Sequence, residues 1–437
     1  MNPSVHQHQV QRIELDYQPL ELARGLVGQP GFIFLDSASS DTSPTPSAPR
    51  AISILASDPE KIIQGKWKQP SQALQELKQA LQVGKAQCSN SSYDFPTGGA
   101  VGSFDYDGSF CFGIYPQMLI YDHLHNQWFE VGEQQNKIDW SQVHCGENQP
   151  ATAPFTTKFA SSMTREDFCQ RVQQAQAYIA AGDIYQVNLS HQFSSPWQCS
   201  QQQSSLAAFT LYQQLRSASP APFAAYLNLN HRQILSSSPE LFLKISGREI
   251  TTRPIKGTRP RFHDPAADQR SANQLITSPK EIAELIMITD LERNDLGKIC
   301  EPGSVQVSEL LKLESFEQVF HLVSTVEGTL KPPIDPIDAL LSCFPGGSIT
   351  GAPKIRAMQI IEELESTPRG LYTGAIGIFG FNDQSLFNIA IRTAVIENQS
   401  LHFHVGAGIV ADSIAEKEYQ ETLHKARGIF LACGENI

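Results

Sequence analysis

The chain has 437 residues, of which 41% are apolar and 18% charged, so it is long enough for a large apolar core or for more than one domain. Its formal net charge of −12, without any Lys/Arg-rich run, argues against a nucleic-acid-binding protein. The scattered cysteines indicate reduced thiols, and there is neither a targeting segment nor an apolar stretch near ~18 residues, so we expect a cytoplasmic protein that does not bind membranes.

The first part of the chain alternates short strand-like runs, such as 31–36, with polar loops. The loop 38–49 is rich in Ser and Pro and is expected to be exposed. Residues 141–162 are polar and show no periodicity, which makes them a candidate boundary. We therefore divide the chain into residues 1–150 and residues 160–432.

Regular elements are indicated more clearly from Thr164 onward. Thr164 predicts a capped helix that ends near Gly182, and a strand-like run follows at 183–189. Two prolines within 252–261 exclude a regular central strand through that segment.

Three later helices have recognisable starts. Ser278 predicts an N-cap, a second helix begins near Pro353, and the last is predicted to start after Ser413 through a capping box with Glu416. The strand-like runs between the last two helices are 373–381, 386–397 and 401–410. Strands in hairpin-like succession, with helices grouped rather than alternating, favour an α+β fold.

Two Glu-x-x-Glu elements lie on predicted helices that are far apart in sequence. Glu281 and Glu284 share one helical face, and Glu418 and Glu421 share another, so the two faces together could offer oxygen ligands to a hard cation such as Mg²⁺. The alternative stays open, because Glu281 is also explained as a helix-capping residue and surface helices often carry glutamates.

Glycine-rich turns at 257–258, 344–351 and 406–408 could bring backbone amides close to an anion, although each is also an ordinary turn. The middle segment is not a nucleotide-binding P-loop, because Ala352 stands where that motif has lysine.

Lys256 lies between Arg253 and Arg259, and two permanent cations beside an amine favour its neutral, nucleophilic form. A solvated basic loop is the alternative. Arg392 interrupts what reads as an apolar strand, 387–395, and there it needs a partner such as a substrate carboxylate. Four further single candidates are as easily structural residues: Glu240, His321, Tyr372 and Gln186.

Taken in order, the longer segments resemble the chorismate-utilising family, which includes anthranilate, aminodeoxychorismate, isochorismate and salicylate synthases. The resemblance covers about 164–429, and only weakly 1–150, which is similar to the variable N-terminal region of the anthranilate synthase component I type. It rests on DIYQVNLS, SSPELFL, RPIKGTRPR, KEIAELIMITDLERNDLGKIC, HLVSTVEG, FPGGSITGAPKIRAM, YTGAIG, IAIRTA and VGAGIVADS. It implies an α+β fold in which two large antiparallel β-sheets pack together, with helices outside and the active site between the sheets.

The resemblance also implies roles for individual residues. Glu284 and Glu421 would bind Mg²⁺, with Glu281 and Glu418 acting through water, and the metal would hold the ring carboxylate of chorismate. Two more sets follow. The carboxylates of chorismate would be held by Gly257, Thr258, Tyr372, Arg392 and the amides of Gly406, Ala407 and Gly408. The ring and the leaving group would be lined by His321 and Thr350.

Within the family, the residue at position 256 separates the reactions. The Pro-Ile-Lys-Gly-Thr segment is similar to that of aminodeoxychorismate synthases component I, whereas anthranilate synthases typically have alanine in place of Lys256. Gln186 stands where members that use water have a lysine base. The resemblance therefore implies that Lys256 attacks chorismate covalently while Glu240, with a raised pKa, acts as general acid, and that ammonia then gives 4-amino-4-deoxychorismate for 4-aminobenzoate and folate synthesis.

The sequence contains no G-x-C-x-G nucleophile elbow, so the resemblance implies a separate glutamine amidotransferase subunit as the source of ammonia. The segment ending at Ser37 resembles the place where relatives bind tryptophan, although an ordinary strand end explains it equally well. Two other functions remain open: anthranilate synthase component I, and a non-catalytic scaffold that binds chorismate or tryptophan.

Overall fold

The computed structural model describes residues 9–37, 50–69, 71–88, 93–132, 158–199, 201–316 and 318–435. The loop 38–49 and most of the candidate boundary 141–162 lie outside these ranges, so both expectations stay predictions. Cys145 also lies outside them, and five of the described cysteines are free thiols, as predicted: Cys111, Cys169, Cys199, Cys300 and Cys343. No helix in the described ranges is long and apolar enough to cross a membrane.

Twenty-two strands and nine helices form within the described ranges. The strands are β1 (Gln9–Ile13), β2 (Ile33–Asp36), β3 (Ile52–Ala56), β4 (Lys61–Lys66), β5 (Gly99–Phe104), β6 (Ser109–Tyr115), β7 (Met118–Asp122), β8 (Gln127–Gly132), β9 (Ala160–Ser161), β10 (Gln186–Pro196), β11 (Phe223–Leu229), β12 (Arg232–Ser238), β13 (Leu241–Ser246), β14 (Glu249–Arg253), β15 (Ile255–Pro260), β16 (Gln306–Ser315), β17 (Val319–Thr329), β18 (Gly351–Ala352), β19 (Ala375–Gly380), β20 (Gln384–Ile389), β21 (Thr393–Glu397) and β22 (Ser400–Ile409). The helices are α1 (Pro19–Leu26), α2 (Gln72–Gln87), α3 (Arg165–Ala180), α4 (Gln201–Ala218), α5 (Pro265–Ile276), α6 (Pro279–Ile299), α7 (Pro336–Cys343), α8 (Lys354–Leu364) and α9 (Ala415–Ala432).

The strands form two large antiparallel sheets. The first has the order β1-β8-β7-β3-β2-β11-β12-β21-β22-β10-β18, with β9 beside β10. The second has the order β15-β17-β14-β13-β20-β19-β5-β6-β4, with β16 beside β17. Strands from both 1–150 and 160–432 enter each sheet, so the two parts of the chain build one body.

Apolar side chains of both sheets pack against each other and form the central core. Ile33 and Leu227 come from the first sheet, and Val101 and Ile378 come from the second; all four are fully buried. A second core lies where α1, α4 and α9 cover the first sheet, and a third where α2, α6 and α7 cover the second. The predicted α+β fold, with two packed antiparallel sheets and helices outside, is therefore confirmed.

Several local predictions are also confirmed. The Thr164 side chain accepts a hydrogen bond from the Asp167 amide at the start of α3, and Ser278 caps α6 in the same way. The chain breaks at Pro254 between β14 and β15, and β15 pairs with β17 alone, with a register shift at Gly257. Proline thus interrupts the strand where the sequence indicated.

Two local predictions are wrong. Helix α9 begins without a capping side chain; the Ser413 hydroxyl instead donates to Glu418 at 2.8 Å and accepts from the Val410 amide. The run 386–397 is two strands and not one, because β20 belongs to the second sheet and β21 to the first. Between them, residues 390–392 carry the chain from one sheet to the other, and hydrophobicity alone gives no sign of this change.

Candidate active site

The site is built around a notch in the first sheet, at residues 404–409, where β22 extends beyond the end of β21. The last register pair between β21 and β22 is Ala394 with Phe403, whereas β22 continues to Ile409 beside β10 only. Residues 404–409 therefore have a strand neighbour on one side only among the described residues. On the open side, backbone groups without a strand partner could bind a ligand, although the Gly406 carbonyl oxygen already accepts from Lys425 Nζ at 2.9 Å.

The glycines of β22 lie in this notch. A β-carbon at Gly406 would lie 2.8 Å from the Tyr372 hydroxyl, and one at Gly408 would lie 2.5 Å from the Gln186 amide nitrogen. At Gly406 the Leu189 carbonyl oxygen would also lie 2.8 Å from a β-carbon, so that position requires glycine, and the two glycines leave a narrow wall with Ala407 between them. Gln186 is itself buried, and its Oε1 atom has no hydrogen-bond partner in the described part of the chain.

Arg392 lies in the crossover from β20 to β21, with φ +49. Its guanidinium has no ion-pair or hydrogen-bond partner among the described residues. Burial lowers the pKa of Arg392, and the charge of Glu240 opposes that effect. The sequence-based view of an arginine inside a strand is wrong, but the expectation of a guanidinium in need of an anionic partner stays consistent with its surroundings.

Glu240 lies between β12 and β13 and is 5% exposed. Burial raises the pKa of its carboxyl group, and the nearby Ser348 side chain and the Lys256 charge oppose this rise. The Oε1 atom has no hydrogen-bond partner among the described residues. Such a group favours its protonated form and can donate a proton to a bound molecule.

Lys256 lies on β15, and its Nζ atom donates a hydrogen bond to the Ser348 carbonyl oxygen at 3.1 Å. The two arginines that flank Lys256 in sequence have partners elsewhere, contrary to the expectation that they act on its amine. Arg253 binds Glu309 and Glu314, and Arg259 donates to the Thr258 carbonyl oxygen. The charges that act with Lys256 are instead the carboxylates of Glu240 and Glu284.

The turn after Lys256 connects the site to the acidic helices. Gly257 has φ +74, and a β-carbon there would lie 2.9 Å from Glu281 Oε2. The Thr258 hydroxyl lies 3.1 Å from His321 Nδ1 on β17. Burial and the charge of Arg392 lower the pKa of His321 to about 4, so its imidazole is neutral at pH 7.

Thr350 is fully buried at the end of the 344–351 loop. Its hydroxyl donates to the Gly346 carbonyl oxygen at 2.9 Å, and its own carbonyl oxygen accepts from the Asn188 amide. The hydroxyl proton is therefore used within the loop, and only the lone pairs of the oxygen are available to a ligand.

The two glutamate pairs come together between α6 and α9. Burial raises the pKa of Glu284 and of Glu418, and the neighbouring carboxylate of Glu421 adds to both effects. Lys280 lies 3.8 Å from Glu418 and 4.0 Å from Glu284. Burial favours a higher pKa for Glu421, but Lys425, whose Nζ atom lies 2.8 Å away, acts together with Lys280 and Lys256, and the pKa of Glu421 is lowered. The result is an acidic cluster in which lysines supply the counter-charge.

The chemistry of this cluster suits a hard cation, because every available donor is a carboxylate oxygen and the four glutamates are mutually repulsive. No group of three or more histidine, cysteine, aspartate or glutamate side chains in the described part of the chain is already arranged to hold a metal ion. Lys280 and Lys425 supply at these carboxylates the positive charge that a bound cation would bring.

Ser37 lies apart from these residues, at the end of β2. Its hydroxyl donates to the Ile52 carbonyl oxygen at 3.0 Å, beside a cavity with about 450 Å³ of unfilled space, part of it open to solvent. The lining is mostly apolar and comes from both sheets, including Ile54, Pro222, Phe223, Ile376 and Leu386. The predicted tryptophan position thus has a cavity beside it.

The sequence reasoning missed one buried carboxylate near the site. Glu292 lies on the buried face of α6, accepts a hydrogen bond from the Thr252 hydroxyl at 2.9 Å and is only 7% exposed. Burial, with the nearby charge of Glu240, raises its pKa to about 8. The helical periodicity that places Leu285, Ile288 and Leu296 in the core also places position 292 there, and could have revealed it.

Comparison with known proteins identifies the family. The family described as chorismate binding enzyme matches residues 33–430. Aminodeoxychorismate synthase component 1 of Bacillus subtilis (strain 168) is 38% identical over 372 residues, which are 77% of each chain. Anthranilate synthase component 1 of Streptomyces coelicolor is 45% identical over 278 residues, 63% of this chain, and the chain spans about half (53%) of that relative's length.

A solved structure agrees with this result. The crystal structure of anthranilate synthase component I from Streptococcus pneumoniae TIGR4 superimposes with a TM-score of 0.74 at 30% identity, and the match covers 89% of this chain and 94% of that one. The predicted resemblance is confirmed, both in sequence and in fold. The chain belongs to the chorismate binding enzyme family.

Proposed function

We propose that this protein aminates chorismate at C4, giving 4-amino-4-deoxychorismate, as component I of an aminodeoxychorismate synthase. The observation that carries the proposal is the position of Lys256, whose amine reaches Ser348 beside the buried Glu240 carboxyl. A nucleophilic amine and a proton donor thus face one space. Relatives named aminodeoxychorismate synthase component 1 support the same reaction.

Chorismate is a dicarboxylate, and the site offers two kinds of partner for it. The unpaired guanidinium of Arg392, with the Tyr372 hydroxyl and the amides of 406–408, suits one carboxylate. The ring carboxylate lies toward the acidic cluster, where Glu284 and Glu421 would hold Mg²⁺, supported by Glu281 and Glu418. The bound metal would supply positive charge for that carboxylate, and Gly257 and Thr258 would complete the wall beside it.

The chemistry proceeds by two displacements. The Lys256 amine forms a bond to C2, both ring double bonds shift toward C4, and the C4–O bond breaks as Glu240 donates its proton to the departing hydroxyl, which leaves as water. Ammonia then bonds to C4, both double bonds shift back, and the C2–N bond to Lys256 breaks. The Glu240 carboxylate takes up the proton from the new ammonium group, so the acid is restored.

Neutral His321 and the lone pairs of Thr350 line the ring side, and the lowered pKa of His321 makes its imidazole a weak base that does not compete for the proton of Glu240. Gln186 is neutral at all pH values and cannot act as a base toward water, which favours ammonia as the nucleophile. We infer a separate glutamine amidotransferase subunit as the ammonia source, a cytoplasmic location, and a place in 4-aminobenzoate and folate synthesis.

The test is product identification. The purified protein is incubated with chorismate, Mg²⁺ and ammonium, and the products are separated by liquid chromatography with mass detection. The proposal requires 4-amino-4-deoxychorismate, formed without release of pyruvate. Anthranilate with pyruvate would instead establish the anthranilate synthase reaction, and an absence of ammonia-dependent turnover would indicate a non-catalytic scaffold. Calorimetry with tryptophan tests the cavity beside Ser37 in the same preparation.

A further inference from the structure

Glu365 and Arg369 form a buried ion pair that the reaction above does not use. They lie just after α8, and their side chains are 5% and 1% exposed. Arg369 Nε donates to Glu365 Oε2 at 2.8 Å and Nη2 donates to Oε1 at 2.7 Å, so the pair is bidentate.

The same two side chains connect three segments of the site. Arg369 also donates to the Asn188 carbonyl oxygen on β10 at 2.7 Å and to the Ile349 carbonyl oxygen, next to Thr350, at 3.2 Å. Glu365 Oε1 accepts from the amide and hydroxyl of Ser190. In the pairing of β10 with β22, Asn188 lies opposite Gly408 and Ser190 lies opposite Gly406. The Glu365–Arg369 ion pair therefore sets the spacing between the notch, the 344–351 loop and the segment 365–369.

The guanidinium also holds the Tyr372 ring. Arg369 Cζ lies 5.5 Å from the centre of that ring, and the His404 ring stacks with it at 5.4 Å and 16°. The Tyr372 hydroxyl reaches Gly406, as described above. The position of this hydroxyl is thus fixed by Arg369 on one side and by the notch on the other.

Backbone strain next to Tyr372 points the same way. Thr373 is β-branched yet has φ +61, a conformation that such residues rarely adopt. Its hydroxyl accepts a hydrogen bond from Arg369 Nη1 at 3.1 Å and donates to the Tyr372 carbonyl oxygen. A buried ion pair adds little net stability compared with apolar residues, which leaves the geometry that it imposes as its main contribution here.

We propose that Arg369, held by Glu365, is a positioning residue that fixes the Tyr372 hydroxyl and the 406–408 wall against a carboxylate of the substrate. This inference rests on the proposed function only for the identity of the ligand. Arg369 touches no reacting atom and acts through Tyr372.

The test is a double-mutant cycle between Arg369→Lys and Tyr372→Phe, with chorismate affinity measured by calorimetry and kcat and KM measured with ammonium. Lysine keeps the charge but cannot make the bidentate contact. We expect Arg369→Lys to weaken chorismate binding by about 30- to 100-fold in the wild-type background, mainly in KM, and by less than about threefold in the Tyr372→Phe background. Arg356→Lys is the matched control, because Arg356 pairs with Asp183 at the surface of α8.

Equal losses in both backgrounds would overturn the proposal, since a merely structural role does not depend on the Tyr372 hydroxyl. Thermal melting reports whether each variant folds. If Arg369→Lys does not fold, Glu365→Gln, which keeps an acceptor oxygen, is used in the same cycle with the same two outcomes. Because chorismate binding needs no turnover, a different product would refute the proposed function while the cycle still decides the role of Arg369.

Discussion

Lys256 and Glu240 meet at Ser348: the Lys256 amine donates to the Ser348 carbonyl oxygen at 3.1 Å, and the Ser348 side chain lies near the buried Glu240 carboxyl. The 344–351 loop thereby brings together groups from a strand of the second sheet and from the connection between the two sheets. The candidate nucleophile and the candidate acid depend on one short loop for their spacing.

Lys256→Met is expected to lower formation of the 4-amino product by at least about 100-fold, because methionine fills the same space without a nucleophilic nitrogen. Chorismate affinity, measured by calorimetry, should change by less than about threefold, since the carboxylate partners remain. Lys66→Met, at an exposed lysine of β4, is the matched control. Unchanged 4-amino product in the Lys256 variant would refute covalent catalysis.

Glu240→Gln is expected to lower kcat by about 100- to 10,000-fold, because glutamine has the same shape but cannot donate the proton that the leaving hydroxyl needs. Burial raises the pKa of Glu240, so the wild-type acid form persists above the pH at which an exposed glutamate ionises, and kcat should fall as pH rises through the raised value. Stopped-flow measurements over a range of pH values test this fall in kcat. If kcat of Glu240→Gln falls with pH in the same way, another group supplies the proton.

Arg392→Gln is expected to have opposite effects on binding and on stability. Loss of a charge-assisted contact to a carboxylate should raise KM for chorismate by about 10- to 100-fold. Removing a half-buried guanidinium that has no ion-pair partner among the described residues should raise the free energy of unfolding, measured with urea in the absence of substrate. A loss of stability in the substrate-free variant would mean that the folded protein does supply a partner for Arg392.

Lys280→Met is expected to strengthen Mg²⁺ binding, with half-saturation of activity at about a threefold to tenfold lower concentration. Burial favours a lower pKa for Lys280, but the carboxylates of Glu418, Glu284 and Glu421 raise it. The Lys280 ammonium therefore competes with a cation for the same carboxylates. Lys298→Met, at the other end of α6, is the control. Weaker Mg²⁺ binding in the Lys280 variant would argue against a metal between these glutamates.

Glu292→Gln is expected to flatten the dependence of stability on pH. The folded-state pKa of Glu292 is about 8, above the value near 4.5 of an exposed glutamate, so the folded protein retains a proton that the unfolded chain loses. The wild-type free energy of unfolding should therefore fall as pH rises from about 4.5 to about 8, by on the order of 3 kcal/mol. Urea titrations of both proteins at pH 5 and pH 8 measure the difference. Parallel pH dependences would show that Glu292 is ionised in the folded state.

The sequence predicted those parts of the molecule that depend on local chemistry. The caps at Thr164 and Ser278 and the break at Pro254 follow from hydrogen bonding and steric rules that act within a few residues. Glu284 and Glu421 were placed on helical faces, and the structure brings both faces together.

What the sequence could not supply depends on distant contacts. The division of 386–397 between two sheets needs knowledge of which strands pair, and apolar runs carry no such information. The neighbours of Lys256 were misjudged for the same reason, because Arg253 points to glutamates on β16 that lie more than fifty positions away. The sequence did not predict a role for Arg369, because its partners come from β10, the 344–351 loop and the 372–373 turn.

The position of β5 in the second sheet affects how the protein is made. Its neighbours are β6 and β19, and β19 leaves the ribosome only after most of the chain has been synthesised. Until then β5, an uncharged and buried strand, exposes a hydrogen-bonding edge that can pair with other chains. Productive folding during translation therefore depends on shielding that edge, and expression at low temperature or with added chaperones should favour native protein over aggregate.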